Sequence, residues 1–296
     1  QMHAENINKN KDLRLLYVYE KVDLLCRKAK KLYNCKIEKN YSKIFQDNKV
    51  DVIFISSPTN THIKFIEEGI KIVFTSAGNP AKFTPLLKEN GIKVVHVTSN
   101  LKFAKKSEEV GVDAVVSEGF EAGGHNGKEE LTTMCLIPLV KNEISIPLIS
   151  AGGIGSGSAM LAAMSLGADG VQIGSRFAAS KESSAHINFK NKIVEAKDNS
   201  TMLSLKKLTA VRLMKNSFYD KIVEAQNRGA SVEELRELLG RARAKRGMFE
   251  GDMKEGELEI GQVSATINAV MPVKDIIDEI MLEFNKEKQK LLNLNF

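Results

Sequence analysis

The chain has 296 residues, of which 43% are hydrophobic and 27% are charged, and these proportions are typical of a globular protein with a sizeable core. Its 43 basic and 37 acidic residues leave a net charge of +6 that is spread along the chain, which argues against nucleic acid as a partner. No apolar run approaches the roughly eighteen residues of a membrane span, and nothing at the start is typical of a signal peptide, so we expect a cytoplasmic protein.

Cys26, Cys35 and Cys135 are odd in number and lack metal-binding spacing. We therefore predict unpaired thiols in a reducing compartment and no metal site. The segment GRARAKRG (240–247) is locally basic. It is interpreted as a solvated helix face, with a docking site for an acidic carrier protein as the alternative.

The first seventy residues alternate between strand and helix patterns, which indicates an α/β segment. The predicted strands are 13–19, 35–38 and 50–56, and the predicted helices are 22–34, 41–48 and 61–70.

From residue 71 the same alternation continues, and beyond the last strand we expect helix to the end of the chain. Ser231 and Glu234 have the spacing of a capping box at the start of one of these helices. The predicted strands are 71–75, 92–98, 113–117, 146–150 and 170–174, and helices are predicted at 83–91, 101–111, 131–142 and 157–167. Eight strands separated by helices predict an α/β fold of the (βα)8 TIM-barrel type with a C-terminal helical region. The alternative is a three-stranded lobe beside an open five-stranded sheet.

Two glycine-rich turns follow consecutive strands, in AGGIGSG (151–157) and QIGSR (172–176). Glycine lets backbone N–H groups approach a ligand closely, and the helix start beyond the first turn adds partial positive charge. We therefore predict a phosphate site with the N–H groups of Gly152, Gly153, Gly174 and Ser175 as donors, and ligand-free tight turns as the alternative. Arg176 would either neutralise the phosphate or form an outward ion pair.

Four motifs now stand in a specific order: EGFEAGGHNG (118–127), IPLISAGGI (146–154), GADGVQIGSRF (167–177) and EGDMKEGELEIGQ (250–262). Together they resemble the FMN-dependent nitronate monooxygenase and enoyl-acyl-carrier-protein reductase II group, from about Lys71 to about Glu283. The final motif, with VRLMKNSF (211–218), is more similar to the enoyl reductases of the FabK type.

The resemblance implies that FMN is the cofactor and that His125 lies over the flavin, where an imidazole can donate a proton near neutral pH. A structural role for His125 is the alternative, and His96 and His186 are expected to be structural. The paired glycines of the loop are explained by the flat flavin ring, with which a Cβ would collide. The implied FMN-binding residues are Glu118, Gly123, Gly124, Ala151, Gly152, Gly153, Gln172, Ile173, Gly174 and Ser175.

For activity, the resemblance implies an oxidoreductase that uses NAD(P)H to reduce enoyl thioesters on an acyl carrier protein in fatty acid synthesis. The alternative is a nitronate monooxygenase that acts on a small molecule with oxygen. A homodimer is a candidate assembly.

The start of the chain, HAENI…VDVIFISSPTNTH, is instead similar to the nucleotide-binding half of the Gfo/Idh/MocA dehydrogenases. That family's glycine-rich turn and Glu-Lys-Pro segment have no counterpart here, so we expect no working nicotinamide site. The flavin family's Met-bearing loop after the first strand and Asn after the third are also not recognisable. We therefore suspect a chimera joined near Gly69–Lys71, with regions 1–70, 71–204 and 205–296. A catalytically silent chimera that at most binds phosphate is the second alternative.

Overall fold

The computed structural model describes residues 16–19, 23–33, 35–40, 42–45, 47 and 71–294. The chain divides into two compact units, one of residues 1–74 with 81–94 and one of residues 75–80 with 95–296.

The first unit contains a small parallel sheet in which Tyr17 pairs with Lys36 and Tyr19 with Glu38. A phenol-to-carboxylate hydrogen bond of 2.6 Å joins Tyr17 to Asp47. Its described elements are β1 (Tyr17–Tyr19), α1 (Asp23–Leu32), β2 (Lys36–Glu38), α2 (Ser42–Phe45) and α3 (Thr84–Glu89). The first two predicted strands and helices are thus present, whereas the predicted strand 50–56 and helix 61–70 lie outside the described residues.

The remaining strands follow in chain order. They are β3 (Ile72–Ser76), β4 (Lys93–Thr98), β5 (Ala114–Glu118), β6 (Gly124–His125), β7 (Leu148–Ala151), β8 (Gly170–Gln172), β9 (Thr201–Ser204) and β10 (Val211–Met214). Five of them form one sheet in the order β3-β4-β5-β7-β8, and the β4–β5, β5–β7 and β7–β8 pairs are parallel. The helices between these strands are α4 (Leu101–Glu109), α5 (Thr133–Lys141) and α6 (Gly157–Ser165). This alternation confirms the predicted α/β class. Closure into eight strands stays a prediction, because the third of them falls outside the described residues.

The chain beyond β8 differs from the expectation of continuous helix. Strands β9 and β10 pair antiparallel with each other, and β10 also pairs with β6. The VRLM segment is a strand because Val211 and Leu213 are buried in a cluster with Phe218 and Ile222, while Met214 packs into a second cluster. A four-residue alternation of this kind is too short to stand out from the helical patterns around it.

Helices nevertheless make up most of this region: α7 (Ser175–Ala178), α8 (Ile187–Val194), α9 (Ser217–Asn227), α10 (Val232–Leu239) and α11 (Val273–Leu292). The capping box is confirmed, since Ser231 Oγ accepts from Glu234 N at 3.1 Å and Ser231 N donates to Glu234 Oε2 at 2.7 Å. In the described part of the chain, none of the helices has the length and apolarity that crossing a membrane requires.

The basic segment 240–247 is largely engaged within the chain. Arg246 pairs with Asp252, Lys245 pairs with Glu250, and Arg243 donates to the carbonyl of Glu255 at 2.8 Å. These contacts support a local structural role for the segment, and a docking site for an acidic carrier stays a prediction.

Candidate active site

The two glycine turns lie side by side. Strands β7 and β8 are parallel neighbours, and Ala151 pairs with Gln172 at their carboxyl ends. Gly152 follows the first strand directly, and Gly174 follows the second after one intervening residue, Ile173. Because neighbouring strands are about 4.8 Å apart, both turns open at one edge of the sheet. The structure therefore brings the predicted phosphate donors together.

Donors and space are both present at this edge. Within the described chain, no acceptor takes the N–H groups of Gly153 and Gly174. Ser175 Oγ accepts from Gly261 N at 3.0 Å, which leaves its own proton free to donate. A Cβ built on Gly174 would meet nothing within 4 Å. Two unpartnered donors, with open space beside Gly174, fit an anionic headgroup.

The start of α6 is different from the sequence expectation. Gly157 N donates to Glu283 Oε2 at 3.0 Å, and Ser158 Oγ donates to Glu283 Oε1 at 2.7 Å. The hydrogen bond from Ser158 is the largest cause of the lowered pKa of Glu283. A carboxylate from α11 thus satisfies this helix start, so the phosphate site rests on the glycine turns rather than on α6.

The side chain of Arg176 forms an ion pair within the protein. Its side chain is buried, and Nη2 lies 3.0 Å from Glu279 Oε2 on α11. The ion-pair interpretation therefore describes Arg176, although the guanidinium is buried rather than turned outward.

The loop 119–125 runs from the end of β5 to β6, and its glycines are required by the protein itself. A Cβ on Gly123 would lie 2.4 Å from the carbonyl carbon of Ile260. Gly124 has a φ of +78°, and a Cβ there would lie 2.7 Å from Glu259 Oε2. The explanation that the flavin ring excludes these Cβ atoms is thus incomplete, because the segment that contains Ile260 already excludes them.

His125 is exposed on β6, where it pairs with Val211 of β10. Asn126 holds this end of the loop, because its Nδ2 donates to the carbonyls of Ala122 at 2.9 Å and Gly124 at 3.1 Å. The imidazole is therefore presented to solvent from a braced backbone, as a proton-handling group requires.

The other two histidines of the described chain have structural positions. His96 is buried in β4 with Nδ1 2.7 Å from Thr75 Oγ1, and burial lowers its pKa. His186 caps α8, because its Nδ1 accepts from Asn188 N at 3.1 Å. Both placements agree with the structural roles expected for them.

Glu118 ends β5 and pairs with Ala151, which in turn pairs with Gln172. Residues paired across parallel strands share a face of the sheet, so the predicted flavin contacts Glu118 and Gln172 lie on one face, about 10 Å apart across two strand spacings. Burial raises the pKa of Glu118 from 4.5 to about 7. At neutral pH this carboxyl can therefore serve as a hydrogen-bond donor.

Sequence reasoning did not identify Arg212 as a residue of the site. It is 1% exposed in β10, and its Nε and Nη2 donate to the carbonyl of Phe120 at 3.1 and 2.9 Å. The guanidinium also lies 4.4 Å from the centre of the Phe120 ring. Arg212 thus fixes the start of the loop that carries His125. Its one available signal was a lone charge within the apolar run VRLM.

Two carboxyls of the segment 257–260, whose Glu259 and Ile260 lie against this loop, were also missed. Burial raises the pKa of Glu257 to about 7 and also raises the pKa of Glu259. The alternation Glu-Leu-Glu-Ile over 257–260 was the signal, since it is typical of a strand with one buried face.

The model of the nitronate monooxygenase family matches residues 21–283. The chain belongs to this family. Its membership confirms the resemblance drawn from the motifs and the prediction of an oxidoreductase family.

Individual relatives agree with this assignment. The chain is 29% identical over 247 residues to the nitronate monooxygenase of Paraburkholderia phytofirmans, covering 80% of this chain and 67% of the relative. A probable nitronate monooxygenase of Staphylococcus saprophyticus is 37% identical over 149 residues, which are 47% of this chain and 42% of the relative. The match thus spans less than half the length of the staphylococcal protein.

Solved structures confirm a TIM-barrel-like α/β fold. FabK from Thermotoga maritima superposes with a TM-score of 0.75 at 34% identity, over 98% of this chain and 90% of that protein. The nitroalkane oxidase of Streptomyces ansochromogenes superposes with a TM-score of 0.68 at 18% identity, over 98% and 93% of the two chains, and shows the fold alone.

These matches bear on the suspected join near residue 70. One family model matches residues 21–283, a range that includes that point. The chimera is therefore an unconfirmed hypothesis, and a second parent family is not needed to account for residues 21–70.

Proposed function

We propose that the chain is an FMN-dependent oxidoreductase that oxidises nitronates. The observation that carries the proposal is the pair of adjacent glycine turns, with unpartnered N–H groups at Gly153 and Gly174 and open space at Gly174. Family membership and the names of the curated relatives support nitronates as substrate. The comparisons therefore favour the activity that the sequence analysis placed second.

The residues at the glycine turns and the strand ends fit FMN in named roles. Gly152, Gly153, Gly174 and Ser175 would hold its phosphate, while Glu118 and Gln172 would hydrogen-bond its ring or ribityl chain. FMN supplies the electron acceptor when bound. His125 would hold or move a proton at its imidazole nitrogens, and the braced loop would keep it in place.

A second candidate is the reduction of enoyl thioesters on an acyl carrier, with NAD(P)H as co-substrate. The specific observation is the 34% identity to FabK over nearly the whole chain. The VRLMKNSF and EGDMKEGELEIGQ motifs support the same activity.

Spectroscopy tests the proposal directly. Purified chain mixed with FMN and desalted should retain a flavin absorbance band at about 450 nm, and a colourless product rules out both activities. With the yellow protein, oxygen uptake that depends on an added nitronate supports the proposed oxidation. Bleaching by NADH without oxygen, followed by reoxidation with a crotonyl thioester, would instead establish the second candidate.

His125→Ala should retain bound FMN and lose about 10²-fold or more in turnover, because the variant lacks the proton-handling imidazole. Lys128→Ala is the matched control, since Lys128 is an exposed residue three positions further along the same segment. Turnover of the histidine variant equal to that of the lysine variant would remove His125 from the mechanism.

Gly174→Ala should leave folding almost unchanged and weaken FMN binding by tenfold or more. The added methyl meets no protein atom but projects into the space assigned to the phosphate. Gly152→Ala is the contrast: it combines a φ of +90° with a Cβ 2.7 Å from the Gly119 carbonyl oxygen, so it should lower the free energy of unfolding by about 2–4 kcal/mol. Urea unfolding and flavin fluorescence titration measure the two effects. Unchanged FMN affinity in Gly174→Ala would show that the phosphate does not bind at this edge of the sheet.

A further inference from the structure

The peptide between Gly152 and Gly153 carries one of the predicted phosphate donors. Its carbonyl belongs to Gly152 and its N–H to Gly153, and in a planar trans peptide these two groups point in opposite directions. The two glycines have φ values of +90° and +70°. Because glycine adopts many backbone conformations at little cost, a peptide flanked by two glycines is easily rotated. A contact that holds the Gly152 carbonyl therefore also fixes the direction of the Gly153 N–H.

Thr133 supplies that contact. Its Oγ1 donates to the carbonyl of Gly152 at 2.9 Å and lies 3.3 Å from the carbonyl of Ala151. Thr133 is the first residue of α5, and its side chain is buried. A buried, β-branched side chain has few rotamers available, so the hydroxyl has little freedom to turn away. It is thus held against the carbonyl side of the Gly152–Gly153 peptide.

Glu121 in turn holds Thr133. Both carboxylate oxygens of Glu121 accept from Thr133 N at 3.0 Å, and Oε2 also lies 3.0 Å from Thr133 Oγ1. The side chain of Thr132, at the cap position of α5, makes no cap hydrogen bond. Glu121 therefore provides the acceptor that the first helical N–H requires. Since Glu121 belongs to the loop 119–125, the same carboxylate ties this loop to the start of α5.

Gly119 shows how closely these groups pack. A Cβ there would lie 2.5 Å from both Glu121 Oε2 and Thr133 N, and it would collide with Thr133 Oγ1. Gly119 N donates to the carbonyl of Ala151 at 2.9 Å, which joins the start of the loop to the end of β7. The backbone of Glu121 is fixed as well, because its carbonyl accepts from Gln262 N at 2.9 Å. Loop, helix start and glycine turn thus form one packed junction.

We propose that Thr133 and Glu121 are positioning residues for the phosphate site. The Thr133 hydroxyl holds the Gly152 carbonyl and so aims the Gly153 N–H at the ligand. Glu121 holds Thr133 and joins this contact to the loop that carries His125. The proposal rests on the proposed function, since the ligand it concerns is the phosphate of FMN. Both residues act through the glycine turn, on the affinity for that phosphate.

Thr133→Val tests the role of the hydroxyl, because valine keeps the shape of the side chain and lacks the oxygen. FMN binding should weaken by about tenfold, the order expected for one misplaced hydrogen bond to an anion. Riboflavin has the same ring and no phosphate, so its binding should stay within about twofold of wild type. Thr133→Ser restores the hydroxyl and should restore the preference for FMN. An equal loss for the two flavins, or no loss for either, would overturn the proposal.

Thr98→Val is the matched control. Thr98 is also a buried threonine, and its Oγ1 donates to the carbonyl of Val116 at 3.2 Å. It lies in β4, two strands away from β7 in the sheet. The control should lose stability as Thr133→Val does and keep the wild-type preference for FMN over riboflavin. Equal changes of this preference in the two variants would show a general loosening of the fold and overturn the role of Thr133.

Glu121→Ala and Glu121→Gln test the carboxylate. Both remove the negative charge, so the difference between them does not report charge. The alanine variant loses the acceptor for Thr133 N and should lower the preference for FMN as Thr133→Val does. The glutamine amide can accept from Thr133 N and donate to Thr133 Oγ1, which leaves the hydroxyl proton for the Gly152 carbonyl. It should therefore keep the wild-type preference. Equal preferences in the two variants would exclude Glu121 from the positioning.

Nuclear magnetic resonance of the chain without cofactor tests the orientation of the turn directly. With isotope-labelled glycine, the Gly153 amide should give one sharp signal in wild type, in Thr133→Ser and in Thr98→Val. In Thr133→Val the signal should broaden or double, because the peptide is then free to rotate. An unchanged signal in Thr133→Val overturns the proposal. Failure of wild type to bind FMN would instead reject the proposed function, and the glycine signals would still decide whether Thr133 orients the turn.

Discussion

Arg212→Ala is expected to lower the free energy of unfolding by about 3–5 kcal/mol and to weaken FMN binding more than tenfold. The side chain is among the largest fully buried ones of the described residues, and it donates twice to the Phe120 carbonyl. Its loss would leave a cavity, a Phe120 carbonyl oxygen without its two donors, and an unsupported Phe120 ring. The loop from Phe120 to His125 would then lose its fixed start, which is why ligand affinity should fall with stability.

Two substitutions separate these causes. Arg212→Met retains much of the volume and none of the hydrogen bonds, whereas Arg212→Lys retains the charge but not the planar fork. We expect both to fall between wild type and the alanine variant in urea unfolding. An alanine variant with the wild-type midpoint would show that the guanidinium does not support the loop.

The glycine turns were within reach of sequence reasoning because each signal is local. A strand followed at once by Gly152–Gly153, and another followed by Gly174, needs no knowledge of distant residues. Parallel neighbours then place the turns at one edge of the sheet. The phosphate prediction therefore followed from patterns that the backbone alone enforces.

Arg212 and Glu259 were out of reach for the opposite reason. Their importance comes from pairing between β6, β10 and the segment 257–260, which lie far apart in the sequence. A two-residue strand such as β6 leaves no periodic pattern to detect. Charged residues are usually exposed, so a lone arginine in an apolar run, or a Glu-Leu-Glu-Ile alternation, does not identify the distant segment that will bury the charge.

The glycines of the His125 loop show a second limit of prediction from sequence. The sequence identified Gly123 and Gly124 as positions without room for a Cβ, which the structure bears out. The excluding atoms belong to the protein at Ile260 and Glu259, however, and only the tertiary arrangement could show that. Similarly, the start of α6 has the partial positive charge that favours an anion, but the carboxylate of Glu283 already occupies that position as the anion.

Glu118 is expected to make FMN affinity fall as pH rises above about 7, by up to tenfold per pH unit. Burial raises the pKa of this carboxyl from 4.5 to about 7, so below that pH the group is neutral and can donate to the ligand. Above it, the carboxylate adds a half-buried negative charge beside an anionic cofactor. Glu118→Gln keeps an uncharged donor of the same shape, and its affinity should stay level from pH 6 to 9.

Ionisation of Glu118 should also change the folding stability of the chain without cofactor. Because the folded state binds the Glu118 proton more tightly than the unfolded state, stability present below 4.5 is lost progressively as pH rises to about 7. Glu118→Gln should therefore melt at a higher temperature than wild type at pH 8, with the difference vanishing near pH 4. Glu257→Gln, whose carboxyl has a similarly raised pKa, should share the melting behaviour and keep the pH-dependent FMN affinity. A level wild-type affinity across pH 6 to 9 would place Glu118 outside the cofactor site, since a neutral acid that touches FMN cannot ionise without weakening the complex.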